Sequence, residues 1–144
     1  MIEQMTRFLQ ANDIGVLATC LDDEPHCSLM AYTAAPDGRT LYLISLRSTR
    51  KYRNLIRNDR VSLLVDDRAA SGPDRGRVQA LTVYGRCRPV EDRTEADQAR
   101  RRITERHPHL VSLANAPDAC VLAVRITALL LLDGPDQAVF EQLD

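Results

Sequence analysis

The feature that most constrains this fold is residues 41–65, LYLISLRSTRKYRNLIRNDRVSLLV, because their pattern changes twice within a short length. Leu41 to Ser45 and Arg60 to Val65 are short, apolar and β-prone, which is typical of strands. Between them, Ser48 to Asn58 places its apolar residues on one helical face. The segment therefore predicts a strand, a short helix and a second strand.

The start of this helix carries an unusual concentration of positive charge, from Arg47, Arg50, Lys51 and Arg53. The backbone dipole already makes that end of a helix positive, so cations there lower helix stability unless an anion offsets them. A hydroxyl cap from Ser48 or Thr49 and the free N–H groups of the first turn complete the donors that a phosphate needs. The charges predict a phosphate site, and a solvated basic face is the alternative that they leave open.

The rest of the chain predicts antiparallel β structure. The expected helices outside the central unit are Ile2 to Ala11 and Arg93 to Arg106. The expected strands are Ile14 to Cys20, His26 to Ala34, Leu41 to Ser45, Arg60 to Val65, Arg77 to Val90 and Ala119 to about Leu132. Gly85 indicates a bulge or bend in the predicted strand from Arg77 to Val90. Residues 66–76 indicate a polar loop. Six hairpin-linked strands with outer helices favour an α+β barrel or sandwich.

Length and charge exclude several classes of function. At 144 residues with a formal charge of −1, the chain predicts one domain without general attraction to nucleic acid or membranes. The N-terminus lacks the long apolar run of a signal peptide. The longest apolar run, Cys120 to Leu132, contains Arg125 and is shorter than the roughly 20 residues that span a bilayer. We expect a soluble, cytoplasmic protein.

The side chains that commonly carry chemistry form no recognisable catalytic or metal site. The cysteines, at positions 20, 27, 87 and 120, form no C-x-x-C pair and are expected to be buried hydrophobes. His107 and His109 lack a third metal ligand and predict a polar connection, and His26 is interpreted as structural. Motifs of hydrolases, P-loop NTPases and Rossmann proteins are missing. No metal site and no catalytic side chain are assigned, so any catalysis would belong mainly to a cofactor.

Several segments together resemble the pyridoxamine 5′-phosphate oxidase-like family of FMN-binding split β-barrels. The resemblance covers roughly Glu3 to Ile126 and rests on IGVLAT, the S-x-M strand, the strand ending in LIS, VYGRCRPVED and above all T-R-K-x-x-N-L within STRKYRNLIRNDRVSLLV. It implies a mainly β α+β fold: a six-stranded antiparallel split β-barrel (Greek-key) with flanking helices. One FMN-binding domain would then occupy residues 1–144.

The resemblance also implies which residues hold the cofactor. Ser45, Arg50 and Lys51 match the positions that bind the FMN phosphate in the family. The strand from Cys27 through Tyr32 would run along the flavin ring, which Ser28, Leu29 and Met30 would line. A polar side chain on the long strand after the loop contacts the ring in many members, and Gln79 is the candidate here. Thr82 competes with it, because a one-residue slip turns a strand side chain to the other face.

Departures from the family pattern bear on activity. The vitamin-B6 oxidases complete their substrate site with a C-terminal extension that contains tryptophan and arginines, whereas this sequence ends at Asp144 and has no tryptophan. We therefore expect an FMN-dependent oxidoreductase with an unassigned small-molecule substrate, and not a vitamin-B6 oxidase. Ser45 stands where the family usually has threonine. A homodimer with the site at the subunit interface is also expected.

Other ligands remain open at this stage. A deazaflavin would use the same phosphate site. Haem-utilisation proteins of the same fold share much of residues 45–65 and the R-H-P connection at 106–108, but no histidine follows His109 to serve as a haem ligand. A non-enzymatic module could instead dock an RNA or a phosphopeptide through Arg47, Arg53 and Arg57, although Tyr52 is the one aromatic residue in this helix to stack on bases. FMN is therefore the first expectation and haem the second.

Overall fold

A computed structural model describes residues 1–143, which contain eight strands and five α-helices. The helices are α1 (Ile2–Ala11), α2 (Arg50–Arg57), α3 (Arg68–Ser71), α4 (Arg93–Arg106) and α5 (Val111–Ala114). The strands are β1 (Ile14–Leu21), β2 (Glu24–Ala31), β3 (Thr33–Ala34), β4 (Thr40–Leu46), β5 (Arg60–Asp66), β6 (Gln79–Pro89), β7 (Ala119–Asp133) and β8 (Ala138–Gln142). Short 3-10 turns occupy Arg75–Arg77 and Pro108–Leu110. No helix among these residues is both long and apolar enough to cross a membrane.

The strands form one antiparallel sheet in the order β2-β1-β5-β6-β7-β4-β3, and β8 adds to β7. The sheet curls around the larger of two apolar clusters, so β2 at one end approaches β4 near the other without pairing with it. This opening between β2 and β4 is the split of a split β-barrel, and the predicted fold class is confirmed. A second, smaller apolar cluster joins α4 to the outer faces of β4 and β7.

The strand count differs from the six predicted. The predicted second strand divides at Tyr32, because β2 pairs with β1 whereas β3 pairs with β4. β8 was not predicted; it is a short edge strand of five residues, AVFEQ, that pairs with the end of β7. Part of the expected loop at 66–76 forms α3.

The strand-helix-strand unit forms as predicted. Thr49 caps α2, since its Oγ1 accepts a hydrogen bond from the Tyr52 N–H at 3.4 Å. Leu55 is buried in the core below the helix. Buried Asn54 donates from Nδ2 to Thr19 Oγ1 at 3.1 Å and so fixes α2 against β1. The position of the helix start is therefore determined by both its cap and its packing.

Gly85 lies at an irregularity in the pairing of β6 with β7, as the sequence predicted. Gly85 pairs with Ile126 and Tyr84 with Ala128, so Thr127 is an extra residue on β7. A Cβ atom on Gly85 would lie 2.5 Å from the Arg125 carbonyl oxygen. The bulge therefore depends on the close backbone approach that glycine permits.

Only two of the four cysteines are buried as predicted. Cys87 and Cys120 are buried, and burial raises the pKa of the Cys87 thiol to about 12. Cys27, however, is exposed on the edge strand β2, and Cys20 is half-buried. The expectation of burial was wrong for Cys27 because its side chain points away from the core at the end of the sheet, where no further strand covers it.

Candidate cofactor site at the split of the sheet

Two hydroxyl groups lie together where β4 leads into α2. Ser45 is 2% exposed near the end of β4, and its Oγ lies 3.0 Å from Oγ1 of Thr49. Thr49 also donates to the Leu46 carbonyl at 2.8 Å. Because a hydroxyl oxygen has two lone pairs and its hydrogen rotates, the pair can rearrange to donate to an anion at the helix N-terminus.

Lys51 supplies the positive charge beside these hydroxyls. Its side chain is half-buried, and burial lowers the pKa of its ammonium group. None of the ion pairs within residues 1–143 involves Lys51. The desolvation of this charge is thus not offset by a carboxylate of the described chain, whereas a bound phosphate would offset it.

These groups face a cavity of about 210 Å³ that opens at the split. Its wall includes Met30, Ser45, Thr49, Lys51, Leu110 and Leu113. The cavity is thus polar where α2 begins and apolar around the rest of its wall. Whole-ligand pockets usually measure about 300–1,000 Å³, so this cavity can enclose only part of a cofactor.

Strand β2, which the family resemblance implies would run along a flavin ring, forms one side of the cavity. Among the described strands β2 pairs only with β1, so it is an edge strand and one row of its backbone N–H and C=O groups faces the split. Leu29 and Met30 line the cavity, although Leu29 is 73% exposed and Met30 is buried. Ser28 is half-buried in the same strand and does not line it.

Arg50 does not line this cavity. Its guanidinium makes an ion pair with Glu24, the first residue of β2, and lines a separate groove on α2. Arg50 and Lys51 are consecutive in the first turn of α2, so their side chains leave the helix about 100° apart. The structure therefore brings Ser45 and Lys51 together and directs Arg50 to a neighbouring surface.

Gln79 lies far from these residues within the same chain. It begins β6, pairs with Asp133 of β7, and donates its backbone N–H to Asp67 Oδ1 at 2.8 Å. Ser45 pairs with Cys120, near the opposite end of the fifteen-residue β7. Thr82, the alternative to Gln79 as the ring contact, pairs with Leu64 and Leu130 in the middle of the sheet. One chain does not bring either residue to the Lys51 cavity.

Leu110 and Leu113 were not predicted as cavity residues, because the sequence indicated only a polar connection after α4. Pro108–Leu110 and α5 carry them across the split. His107 anchors this segment: it is 3% exposed, and its Nε2 lies 3.0 Å from the Tyr32 carbonyl oxygen. The apolar residues of LVSLA at 110–114 were the available signal, but five residues are too few to indicate a helix by periodicity.

Comparison with known sequences gives one family and one curated relative. The sequence model of the family described as "Pyridoxamine 5′-phosphate oxidase" matches residues 1–133. A pyridoxamine 5′-phosphate oxidase homolog from Schizosaccharomyces pombe is 36% identical over 90 residues, which is 54% of this chain and 47% of that protein. The aligned region thus spans about half the length of the curated relative.

Solved structures share the fold at low identity. A heme binding protein from Mycobacterium smegmatis superposes with a TM-score of 0.85 and 19% identity, over 99% of this chain and 58% of that one. A FAD-binding protein from Mesorhizobium loti superposes with a TM-score of 0.76 and 24% identity, over 91% of each chain. These similarities establish the common fold.

Proposed function

Since this chain belongs to the pyridoxamine 5′-phosphate oxidase family, we propose that it binds FMN at the split of its sheet and uses the flavin for oxidation–reduction of a small substrate. The observation that carries the proposal is the half-buried Lys51, which has no ion-pair partner in the described chain and lies beside the hydroxyls of Ser45 and Thr49. An ammonium, two hydroxyls and the first-turn N–H groups of α2 form the donor set that suits a phosphate dianion.

The residues present also fit a flavin beyond its phosphate. The unpaired backbone edge of β2 offers donors and acceptors to a planar heterocycle, while Met30, Leu110 and Leu113 exclude water. Bound FMN would supply the redox chemistry by accepting and passing on a hydride. The protein itself would bind and orient the flavin and exclude water from it. No side chain is assigned as a proton donor.

Haem is the competing ligand, and the described residues favour flavin over it. None of the three histidines lines the cavity, and buried His107 is already bonded to the Tyr32 carbonyl. Titrations with FMN and with haemin, followed by flavin fluorescence and by absorbance, separate the two. We expect saturable FMN binding, and saturable haemin binding with no FMN binding would reject the proposal.

We further propose that a second copy of the chain completes the site. The cross-strand row Leu29, Val16, Leu64, Thr82, Leu130 and Phe140 crosses the outward face of the sheet, and we call it the apolar row. Leu29, Leu64 and Phe140 in it are 40–73% exposed. A large exposed apolar face marks an interaction surface, and a symmetric pair would bury it on both copies. Gln79 could then reach the ring only from the second copy.

Charging the apolar row is expected to separate the copies. The double substitution Leu64→Glu/Phe140→Glu places carboxylates where two sheets would meet, and burying them unpaired is costly. Size-exclusion chromatography with light scattering should show a dimer for the unmodified chain and a monomer for the variant. Ile56→Glu, at a 52% exposed residue on α2 that belongs neither to the apolar row nor to the cavity wall, is the control and should remain dimeric. An unmodified chain that is monomeric at micromolar concentration would contradict this proposal.

FMN affinity should decline at alkaline pH. Burial lowers the Lys51 pKa in the free protein, and a bound phosphate raises it again, so binding above the free-state pKa requires proton uptake. Affinity is therefore constant below that pKa and falls as pH rises through it. Dissociation constants measured from pH 7 to about 10 test this, with Lys51→Arg as the control, because a guanidinium stays charged throughout. A flat profile for the unmodified chain, or an equal decline in Lys51→Arg, would show that Lys51 does not carry the effect.

A further inference from the structure

A second concave surface, of about 570 Å³, lies between α2 and the β1–β2 turn. Four arginines line it, Arg47, Arg50, Arg53 and Arg57, and we call it the arginine groove. Asp22 and Glu24 lie at the same surface, so cations outnumber carboxylates two to one. The flavin phosphate proposed above uses Lys51 and leaves this concentration of guanidinium groups unexplained.

The arginines are spaced to follow an extended anion. Residues 50, 53 and 57 are three and four positions apart, which places them on one helical face over about 10 Å. Arg47 donates to the Ala119 carbonyl and Arg53 to the Ser48 carbonyl, contacts that hold these side chains without neutralising them. Arg57 makes no ion pair within residues 1–143, and Arg50 alone is paired, with Glu24.

We propose that the arginine groove binds the adenosine-phosphate half of a dinucleotide. Guanidinium groups are suited to phosphate oxygens, and the carboxylates of Asp22 and Glu24 can accept hydrogen bonds from ribose hydroxyls. Tyr52 and the 52% exposed Ile56 provide an aromatic and an apolar surface for a base. The volume lies within the usual range for a small-ligand site of about 300–1,000 Å³.

The groove adjoins the flavin site through the first turn of α2. Arg50 lines the groove and Lys51, the next residue, lines the cavity, so linked phosphates at this turn are within reach of both. Two dinucleotides carry the required group: FAD, whose flavin would occupy the cavity, and a nicotinamide dinucleotide that donates electrons to bound FMN. Whether the ligand is FAD or a nicotinamide dinucleotide depends on the proposed flavin function. The binding of an adenosine phosphate in the groove does not depend on it.

Calorimetric titration with 5′-ADP tests the groove without any flavin. The variant is Arg53→Gln/Arg57→Gln, and the control is Arg7→Gln/Arg102→Gln, which removes the same charge from exposed arginines on α1 and α4. The variant should bind ADP about tenfold more weakly than the control, the loss expected for charge-assisted hydrogen bonds. Equal ADP affinity in both, or no ADP binding by the unmodified chain, would overturn the proposal, whatever the flavin result.

Parallel titrations with FMN, FAD and NADPH identify the source. Tighter binding of FAD than FMN, with a preference that falls about tenfold in the variant, assigns the groove to the flavin dinucleotide. Equal affinity for both flavins, with a raised KM for NADPH in the FMN-loaded variant, assigns it to the electron donor. ADP binding without flavin binding would retain the groove and reject the proposed flavin function.

Discussion

Replacing Lys51 with alanine is expected to weaken FMN binding by about 10- to 100-fold, the loss for one charge-assisted phosphate contact of about 1.5–3 kcal/mol. The same change should leave the free energy of unfolding unchanged or raise it. Alanine favours helix, and the substitution removes a partly desolvated cation from the positive end of α2. Weaker binding by an equally stable protein distinguishes a ligand contact from a structural role.

The matched control for Lys51→Ala is Arg7→Ala, which removes one positive charge from an exposed residue of α1. Fluorescence titration gives the FMN dissociation constant, and thermal unfolding gives the stability of each variant. Equal FMN affinity in Lys51→Ala and Arg7→Ala would exclude Lys51 from the phosphate site. A large loss of stability in Lys51→Ala would show that its charge has a partner within the folded chain.

Gly85→Val is expected to destabilise the fold more than any surface substitution, by roughly 2–4 kcal/mol, because a branched side chain would collide with backbone. An added Cβ would meet the Arg125 carbonyl oxygen at 2.5 Å and a Val124 methyl at 2.9 Å. Both neighbours belong to β7, the most extensively paired strand of the sheet, so they cannot move away without loss of pairing. At about 2–4 °C per kcal/mol for a chain of this size, the midpoint of thermal unfolding should fall by roughly 5–15 °C.

Gly76→Ala is the matched control for Gly85. Its added Cβ would meet only the Asp74 side chain, at an ordinary 3.5 Å, and Gly76 is exposed in a 3-10 turn. That substitution should be nearly neutral or stabilise slightly, because alanine restricts the unfolded chain. If the two variants melted at similar temperatures, the bulge at Gly85 would not be required for the curvature of the sheet.

The features that sequence predicted are those with local physical causes. The cap at Thr49, the apolar face of α2 and the misplaced cations at its start all act within a few residues, and they located both the helix and Lys51. The predicted helix α4 also has a local cause at its start, where Asp92 accepts a hydrogen bond from the Glu95 N–H at 3.0 Å.

The features that sequence missed depend on contacts between distant segments. Leu110 and Leu113 follow His107, which lies in hydrogen-bond contact with the Tyr32 carbonyl between β2 and β3, 75 residues away in sequence. Arg50 lines the arginine groove, where it makes an ion pair with Glu24 at the start of β2. Neither partner could be identified without the fold, since no local pattern links these residues. Motifs therefore predicted the position of α2 and its cations better than the direction in which each side chain points.

The most direct test of the proposed function is the absorbance spectrum of the purified protein after incubation with FMN and gel filtration. We predict that flavin absorbance co-elutes with the protein at no more than one FMN per chain, and that Lys51→Ala loses it while Arg7→Ala retains it. Free elution of all flavin from the unmodified protein, or a haem Soret band in its place, would contradict the assignment of this split as a flavin site.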